Sequence, residues 1–475
     1  MIFSFLFFLL LFVLVGVSSY LLSNRTRQDY YLASHTMPAW LVGLSAVATN
    51  NSGYMFIGVI GYTYTTGLSS IWLMFGWIIG DFLMSTFVHA QVRDVAAKTN
   101  EDSYAGLLSH WGGTQFQLFQ RVAAMISLIF LMAYAGAQFV AGGKALRVLL
   151  DWPTYGGAVI SAFLVMVYCF AGGIRASIWT DAAQSMVMII SMALLLVVAT
   201  TSLGGVQSTI VQMQAVNGFL DWFPRDDSLV FPGLAGAFLF AFGWMFAGMS
   251  VIGQPHIMVR FMTLSSNHKM AHARLWYYTW FTLFYIITTC VGMLSRVYLS
   301  DIGSFDAELA LPTMALQLFP PVLVGLMLAG MFAATMSTAD SLVLSCSASL
   351  THDLFPGRKE KTWVLKLATV AITLLSLSWA LLNEQSVFNL VIMAWSTLAS
   401  AFAPVLIVLA LNGRPSQKTI LTMMFSGIFV ALTWRWLGLH VKVYEGMPGM
   451  LMGLLIFCVS HVFSTQQTKL AKTKS

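Results

Sequence analysis

Charged residues are scarce in this chain. Asp, Glu, Lys and Arg make up 9% of its 475 residues, whereas a soluble globular domain carries about 25%. Hydrophobic residues make up 58%, and no water-soluble fold could bury that much apolar surface. The solvent around this protein must therefore be lipid, and the fold class that follows is an all-α polytopic membrane protein.

Cysteine is also rare. The four cysteines all fall within apolar runs and show neither the spacing of a disulfide framework nor that of a metal site. We interpret them as packing residues. The net charge of +6 does not indicate a nucleic-acid partner, because the basic residues lie in short loops between apolar runs, where membrane topology places them.

The apolar runs are each about 20 residues long, which is enough to cross about 30 Å of hydrocarbon. The first run is too long for a signal peptide and lacks a basic segment before it, so we interpret it as a retained span. About thirteen transmembrane helices are predicted: 2–22, 39–62, 68–90, 121–148, 155–171, 178–203, 232–254, 276–298, 312–347, 363–382, 388–410, 418–438 and 447–464.

Lysines and arginines are distributed unequally between the two sets of loops. If the N-terminus is outside, only six of the 24 lie in outside loops: Lys144, Arg147, Arg225, Arg296, Arg435 and Lys442. Cytoplasmic loops carry the excess of basic residues in membrane proteins. The bias predicts a multi-pass protein of the cell (inner) membrane, with the N-terminus outside and the C-terminus in the cytoplasm.

Two of the predicted spans contain residues that weaken helices. The second span includes Asn50-Asn51-Ser52-Gly53, and the seventh includes Gly248 and Gly253-Gln254-Pro255. A shift of about 198 residues relates the two segments and also relates the fourth span to the ninth, as in transporters built from inverted repeats with broken helices. The alternative is that both segments are glycine-mediated helix contacts.

The ninth span has a polar face. Ala334, Ser337, Thr338 and Ser341 follow the i, i+3, i+4, i+7 spacing that places residues on one side of a helix. A carbonyl and hydroxyls on one face form a hard oxygen cluster, which suits a small alkali cation. Alternatively, the hydroxyls bond back to carbonyls one turn earlier in the same helix.

Three acidic residues lie in or next to predicted spans: Asp81, Asp181 and Asp340. An acid at membrane depth is costly, so each is a candidate functional residue. The alternative for each is an acid at a helix end or one paired with a polar neighbour.

Several short strings together resemble one known family, the sodium:solute symporters, over about residues 28 to 410, and most of all its sodium/proline branch. The strings occur in the family's order and on the corresponding spans: Asp29-Tyr30-Tyr31-Leu32, Ser45-Ala46-Val47-Ala48, Gly172-Gly173-Ile174-Arg175, Trp179-Thr180-Asp181, Gly253-Gln254-Pro255-His256, Arg260-Phe261 and Met336-Ser337-Thr338.

The resemblance implies the LeuT-type fold of five-plus-five inverted repeats, with one extra N-terminal and two extra C-terminal helices. Six segments follow from it: an extra N-terminal transmembrane helix at 1–25, a first repeat at 36–203, an extracellular loop at 204–231, a second repeat at 232–410, two C-terminal helices at 411–464 and a cytoplasmic tail at 465–475. The protein is expected to function as a monomer.

The resemblance also implies Na⁺ as the coupling ion. Carried over residue by residue, the family's conserved sodium site is formed by the following residues: Ala48, Asn51, Ala334, Ser337 and Thr338. Some members hold a second sodium near an acid that matches Asp181, and the residues implied here are Asp181, Ser337, Asp340 and Ser341. Asp340 stands where some of those members have serine, so both one and two ions per cycle stay open.

The substrate positions implied by the resemblance are Asn50, Ser52, Gly53, Tyr54, Tyr134, Ala247, Val251 and Pro255. Asn50 replaces an acid of the sodium/proline branch, Tyr54 replaces a tryptophan, and Ala247 and Val251 replace two aromatics, which indicates a larger or differently shaped pocket. The expected function is sodium-coupled uptake of a small organic solute by alternating access. The solute is an amino acid such as proline, or alternatively a sugar, sialic acid or carboxylate.

Other function classes fit the sequence less well. A membrane solute sensor is the main alternative, but the tail after residue 464 is short for an attached signalling domain. An enzyme would need a nucleophile–base pair or a metal constellation within the membrane, and no such arrangement is recognisable. The chain is therefore predicted to be a transporter rather than an enzyme.

Overall fold

A computed structural model describes residues 1–20, 26–113, 115–299, 305–355, 361–382 and 386–472. These residues form helices and connecting loops. The α-helices are α1 Ile2–Tyr20, α2 Arg27–Leu32, α3 Ala39–Asn50, α4 Ile60–Thr66, α5 Ile71–Thr99, α6 Tyr104–His110, α7 Gln117–Leu150, α8 Thr154–Ser202, α9 Val206–Gln214, α10 Leu234–Met249, α11 Pro255–Met262, α12 Met270–Tyr298, α13 Ala310–Leu318, α14 Pro321–Ala348, α15 Thr362–Leu382, α16 Val387–Ala410, α17 Gln417–Trp436 and α18 Gly446–Lys472.

The length and apolar surface of the helices suit a lipid bilayer. Among the described residues, ten helical segments are long and apolar enough to cross a membrane, and three shorter apolar helices accompany them. Apolar side chains on the outer face of the bundle are exposed, as for Phe3 at 89% and Phe7 at 62% on α1. The polytopic all-α prediction is confirmed, and the count of about thirteen spans stays a prediction.

The predicted break in the second span is present. Helix α3 ends at Asn50, and the chain leaves helical geometry at Asn51, with φ −92° and ψ 71°. The Val47 carbonyl accepts both the Asn51 backbone N–H, at 2.8 Å, and the Asn51 side-chain amide, at 2.9 Å, so Asn51 caps the helix end. The chain then re-enters helical structure as a π-helix, Met55–Val59, that continues into α4.

The seventh span is broken in a similar way. Helix α10 passes into a 3₁₀ turn, Ser250–Gly253, and Gln254 is extended, with φ −101° and ψ 104°. Pro255 then starts α11, where its missing N–H removes nothing from the helix. The Gln254 side-chain amide donates to the Trp395 carbonyl at 3.0 Å and so ties the break to α16.

One predicted boundary was wrong. The ninth span, predicted at 312–347, is divided between α13 and α14 because Pro320 and Pro321 cannot continue a helix. The fifth and sixth spans, predicted at 155–171 and 178–203, follow one another in α8, where the non-helical Gly173 separates two helices at a kink. Helix α18 continues into the segment predicted as a cytoplasmic tail from 465, since its lysines, glutamines and alanine favour helix. The position of that segment relative to the membrane stays a prediction, and residues 473–475 lie outside the described residues.

Helix α14 lies at the centre of the bundle, and 89% of the residues in its most apolar stretch are buried. It packs against α3, α7 and α8, so both broken segments and the predicted polar face meet in the interior. Helix α5 packs against α10 through small residues, because glycines let two backbones approach closely. This packing holds α10 and the break that follows it against the rest of the core.

Gly248→Ala is expected to destabilise the α5–α10 contact. A Cβ at Gly248 would lie 2.1 Å from the Trp77 carbonyl oxygen, and backbone atoms cannot move aside cheaply. Overpacking of this kind costs about 1–3 kcal/mol. Thermal unfolding of the purified protein in detergent measures the loss. Gly112→Ala is the matched control, because nothing lies within 4 Å of its Cβ position; equal unfolding temperatures for the two variants would contradict the contact.

Candidate functional site

The hydroxyls of α14 reach the carbonyl oxygens at the end of α3. Ser337 Oγ donates to the Ala48 oxygen at 3.1 Å and to the Ala334 oxygen at 3.2 Å. Thr338 Oγ1 donates to the Thr49 oxygen at 2.9 Å. All of these residues are fully or almost fully buried. The alternative in which the hydroxyls only bond back within their own helix does not hold for Ser337 and Thr338, which cross to the broken helix.

Four of the five predicted residues of the first sodium site are therefore adjacent. Asn51 lies at the break itself and is buried, but its N–H and side-chain amide bond to the Val47 carbonyl. The cluster consists of hydroxyl and carbonyl oxygens at a point where helix α3 has stopped. Oxygens of this kind are the ligands that a hard cation prefers.

A second cluster surrounds the side chain of Arg260, which is buried on α11. Its Nη2 donates to Ser177 Oγ at 2.5 Å and to Ser341 Oγ. The same nitrogen lies 3.4 Å from Asp181 Oδ2 and 3.6 Å from Asp340 Oδ1. The predicted residues Asp181, Asp340 and Ser341 are thus brought together, but around a guanidinium.

Ser337 joins this second cluster to the first, because Ser341 Oγ donates to the Ser337 carbonyl at 2.6 Å. Ser45 Oγ on α3 donates to Asp181 Oδ2 at 2.6 Å. Two buried carboxyl groups face one guanidinium here, and its single positive charge can balance only one of them when both are ionised. Asp181 Oδ1 is buried and makes no hydrogen bond to any described residue.

The charge distribution along the sequence assigns Arg260 to a cytoplasmic loop, and that assignment was wrong. The residue lies inside α11 and is 0% exposed. Gln254 is extended and Pro255 starts a new helix, so Arg260 lies on the short second half of a broken span. Recognising how far that half-helix extends would have placed Arg260 inside the protein.

The predicted solute segment is anchored to α7. Tyr134 donates its hydroxyl to Ser52 Oγ at 3.3 Å, and the Gly53 N–H donates to Gln138 Oε1 at 2.9 Å. Gln138 Nε2 is buried and makes no hydrogen bond to a described residue. Helix α7 therefore presents the free side-chain amide donor of Gln138 beside the break in α3.

An aromatic residue of α16 contacts Ala247, the predicted position on α10; the other predicted position, Val251, lies in the 3₁₀ turn that follows α10. Ala247 and Val251 are fully buried, and the Trp395 indole N–H donates to the Ala247 carbonyl at 3.2 Å. The Trp395 ring centroid is 6.4 Å from that of Tyr134. Trp395 thus supplies aromatic surface where α10 lacks it, which sequence patterns do not reveal because the contact joins distant helices.

Pro255 places His256 at the first turn of α11. The His256 ring is fully buried, with its centroid 5.5 Å from Tyr134 and 6.3 Å from Trp395. Both of its ring nitrogens lack a hydrogen-bond partner among the described residues. His256 and Gln138, neither of them a predicted site residue, are thus two polar side chains of this region with unsatisfied atoms.

A stack of aromatic rings leads from this region to a cavity. Tyr54 stacks on Phe388 at 5.3 Å between centroids, and Phe388 stacks on Tyr62 at 5.3 Å. Tyr62 also lines a cavity of about 410 Å³ whose other walls come largely from the loop after α9. The three rings stand between the cavity and the break in α3.

The family model described as the sodium:solute symporter family matches residues 30–424. The chain belongs to the sodium:solute symporter family. This symporter is 27% identical over 453 residues to the sodium/proline symporter of Escherichia coli (strain K12), covering 91% of this chain and 87% of that protein. It is 28% identical over 460 residues to the high-affinity proline transporter PutP of Bacillus subtilis (strain 168), covering 94% and 95%.

Solved structures share the fold. A substrate-bound, outward-open Na⁺-coupled sialic acid symporter superposes with a TM-score of 0.81 at 18% identity, covering 96% of both chains. A nucleobase-cation-symport family transporter in a closed conformation superposes with a TM-score of 0.56 at 12% identity, covering 93% of this chain and 96% of that one. The predicted family and architecture are confirmed.

Proposed function

We propose that this symporter imports a small amino acid, proline or a close relative of it, together with sodium by alternating access. The observation that carries the proposal is the pairing of Ser337 and Thr338 hydroxyls with carbonyls at the broken end of α3. This oxygen cluster lies next to Ser52 and Gly53, the segment that α7 anchors. Sodium and solute then share one broken helix, so binding of one orders the segment that binds the other.

The coupling ion of the proposal is Na⁺, held by Ala48, Asn51, Ala334, Ser337 and Thr338. The Ser337 and Thr338 hydroxyls already donate hydrogen bonds to α3 carbonyls at 2.9–3.1 Å. Small shifts would therefore let the same oxygens surround an ion. A second Na⁺ beside Asp181, Asp340, Ser341 and Ser337 is proposed on a different observation: Arg260 balances only one of the two buried carboxylates.

A zwitterionic solute suits the groups around Ser52 and Gly53. The unsatisfied polar atoms there include Gln138 Nε2 and the ring nitrogens of His256, and the rings of Tyr134 and Trp395 lie beside His256. Arg260 is already paired with acids. Aromatic faces attract an ammonium group, and neutral donors serve a carboxylate whose charge the ammonium balances. Proline is also the solute named for two relatives.

The energetics set how far uptake can proceed. One charge moving down about 100 mV yields about 2.3 kcal/mol, and a tenfold sodium gradient adds about 1.4 kcal/mol. One sodium ion therefore sustains roughly 500-fold accumulation, and two ions sustain roughly the square of that value. The solute enters from the side of the 410 Å³ cavity, past the stack of Tyr62, Phe388 and Tyr54.

Uptake into sealed proteoliposomes tests this function. Radiolabelled proline is expected to accumulate under an inward sodium gradient and not under an inward proton gradient alone. Sialic acid, a monosaccharide and a monocarboxylate, offered under the same gradient, distinguish the alternative solutes. Accumulation that ignores sodium contradicts the coupling, and accumulation of one of the other solutes in place of proline contradicts the amino-acid assignment.

A further inference from the structure

Asp81 is a buried acid that the proposed transport site does not use. It lies on α5 and is 0% exposed. Its Oδ2 accepts a hydrogen bond from the Tyr277 hydroxyl at 2.7 Å. The Tyr277 oxygen in turn accepts from Asn50 Nδ2 at 2.6 Å. A chain of two short hydrogen bonds therefore joins Asp81, through α12, to the last residue of the broken helix α3.

The other oxygens of this chain are unsatisfied. Asp81 Oδ1 and Asn50 Oδ1 are both buried, and neither has a hydrogen-bond partner among the described residues. Within the same part of the chain, no lysine, arginine or histidine forms an ion pair with Asp81. A carboxylate at membrane depth that forms no ion pair is costly. The site lacks one positive charge.

The groups that face Asp81 do not supply that charge. Helix α12 brings the phenols of Tyr277 and Tyr278, and Arg274 one turn earlier, whose guanidinium lies over the Phe82 ring at 5.1 Å. On α5 itself, His89 lies two turns away, with its ring centroid 3.9 Å from that of Phe261. Helix α10 brings backbone atoms of Met245, Gly248 and Met249 against this turn of α5, and α3 contributes Asn50.

We propose that Asp81 is a proton-binding site, in which a proton on Oδ1 supplies the missing charge and Tyr277 links its occupancy to Asn50. A metal ion fits poorly, because it needs several oxygen ligands, whereas the described side-chain oxygens beside the Asp81 carboxyl group are the phenols of Tyr277 and Tyr278. The Tyr277 hydrogen stays on Oδ2 throughout, so proton uptake at Oδ1 breaks no other bond.

The link to Asn50 follows from hydrogen-bond cooperativity. When Oδ1 loses its proton, Oδ2 becomes a charged and therefore stronger acceptor for the Tyr277 hydroxyl. A more polarised hydroxyl is in turn a better acceptor for Asn50 Nδ2. Release of the proton thus holds the end of α3 more firmly. The effect on solute binding rests on the proposed function, whereas proton binding itself does not.

Infrared difference spectroscopy of the full chain in lipid nanodiscs tests the proposal without sodium or solute. The wild type is expected to show a protonated carboxyl band at neutral pH that Asp81→Asn removes. Identical spectra for these two proteins would overturn the site. Because no transport is measured, a failure of sodium-driven uptake leaves this result standing.

Two further variants test the chain of hydrogen bonds. Tyr277→Phe keeps the carboxyl group but removes the donor to its Oδ2, so it is expected to raise the proton affinity of Asp81 about tenfold to hundredfold. Asn50→Ala is expected to shift the titration in the same direction by a smaller factor. Asn217→Ala, on an exposed loop, is the control and leaves it unchanged. A titration that Tyr277→Phe does not move contradicts the link, and it keeps the test decisive if Asp81→Asn fails to fold.

Discussion

Ser337→Ala is expected to raise the sodium concentration needed for half-maximal solute uptake about tenfold to hundredfold. The Ser337 hydroxyl contacts both Ala48 and Ala334. A hydrogen-bonding or ligand oxygen lost from a charged partner costs about 1.5–3 kcal/mol. Uptake rates in proteoliposomes, measured as a function of external sodium at fixed membrane potential, give the shift.

Thr338 offers a paired comparison. Thr338→Val removes the hydroxyl and keeps the shape of the side chain, so it is expected to raise the sodium concentration needed for half-maximal uptake. Thr338→Ser keeps the hydroxyl, so its sodium requirement is expected to stay close to that of the wild type. Ser345→Ala is the control on the same helix, because the Ser345 hydroxyl has no hydrogen-bond partner among the described residues. If Ser337→Ala and Ser345→Ala need the same sodium concentration, the sodium site is not at Ser337.

Local features of the sequence account for the parts of the site that could be predicted. Asn50-Asn51-Ser52-Gly53 weakens a helix whatever surrounds it, and α3 does end at Asn50. The hydroxyl face of α14 follows from helical spacing alone. Pro320 likewise carries a local signal, and the division between α13 and α14 follows from it once both prolines are considered.

The remaining parts depend on contacts between distant helices. Trp395 lies on α16 and contacts Ala247 on α10, and no periodicity in either segment predicts that meeting. The position of Arg260 could not be predicted for the same reason. Counting basic residues places Arg260 in a loop, because the positive-inside rule counts lysines and arginines along the sequence and takes no account of buried acids that could pair with them. Asp181 and Asp340 reach it from two other helices.

This cluster of charges is the place where a single substitution is expected to destabilise the fold most. Arg260→Met removes the guanidinium between Asp181 and Asp340 and leaves two buried carboxylates without a countercharge. Breaking a buried ion pair by removing one partner costs about 3–5 kcal/mol. Thermal unfolding in detergent, with potassium in place of sodium, measures the loss.

The double variant separates charge from packing. Adding Asp340→Ser to Arg260→Met removes one of the two uncompensated acids, so it is expected to recover part of the lost stability, and the two effects are not additive because the residues share one cluster. Sodium is expected to stabilise Arg260→Met more than the wild type, since a cation can then replace the positive charge of the missing guanidinium. That result would support the second ion site beside Asp181. An Arg260→Met protein as stable as the wild type, with an unchanged response to sodium, would show that the excess negative charge does not attract an ion.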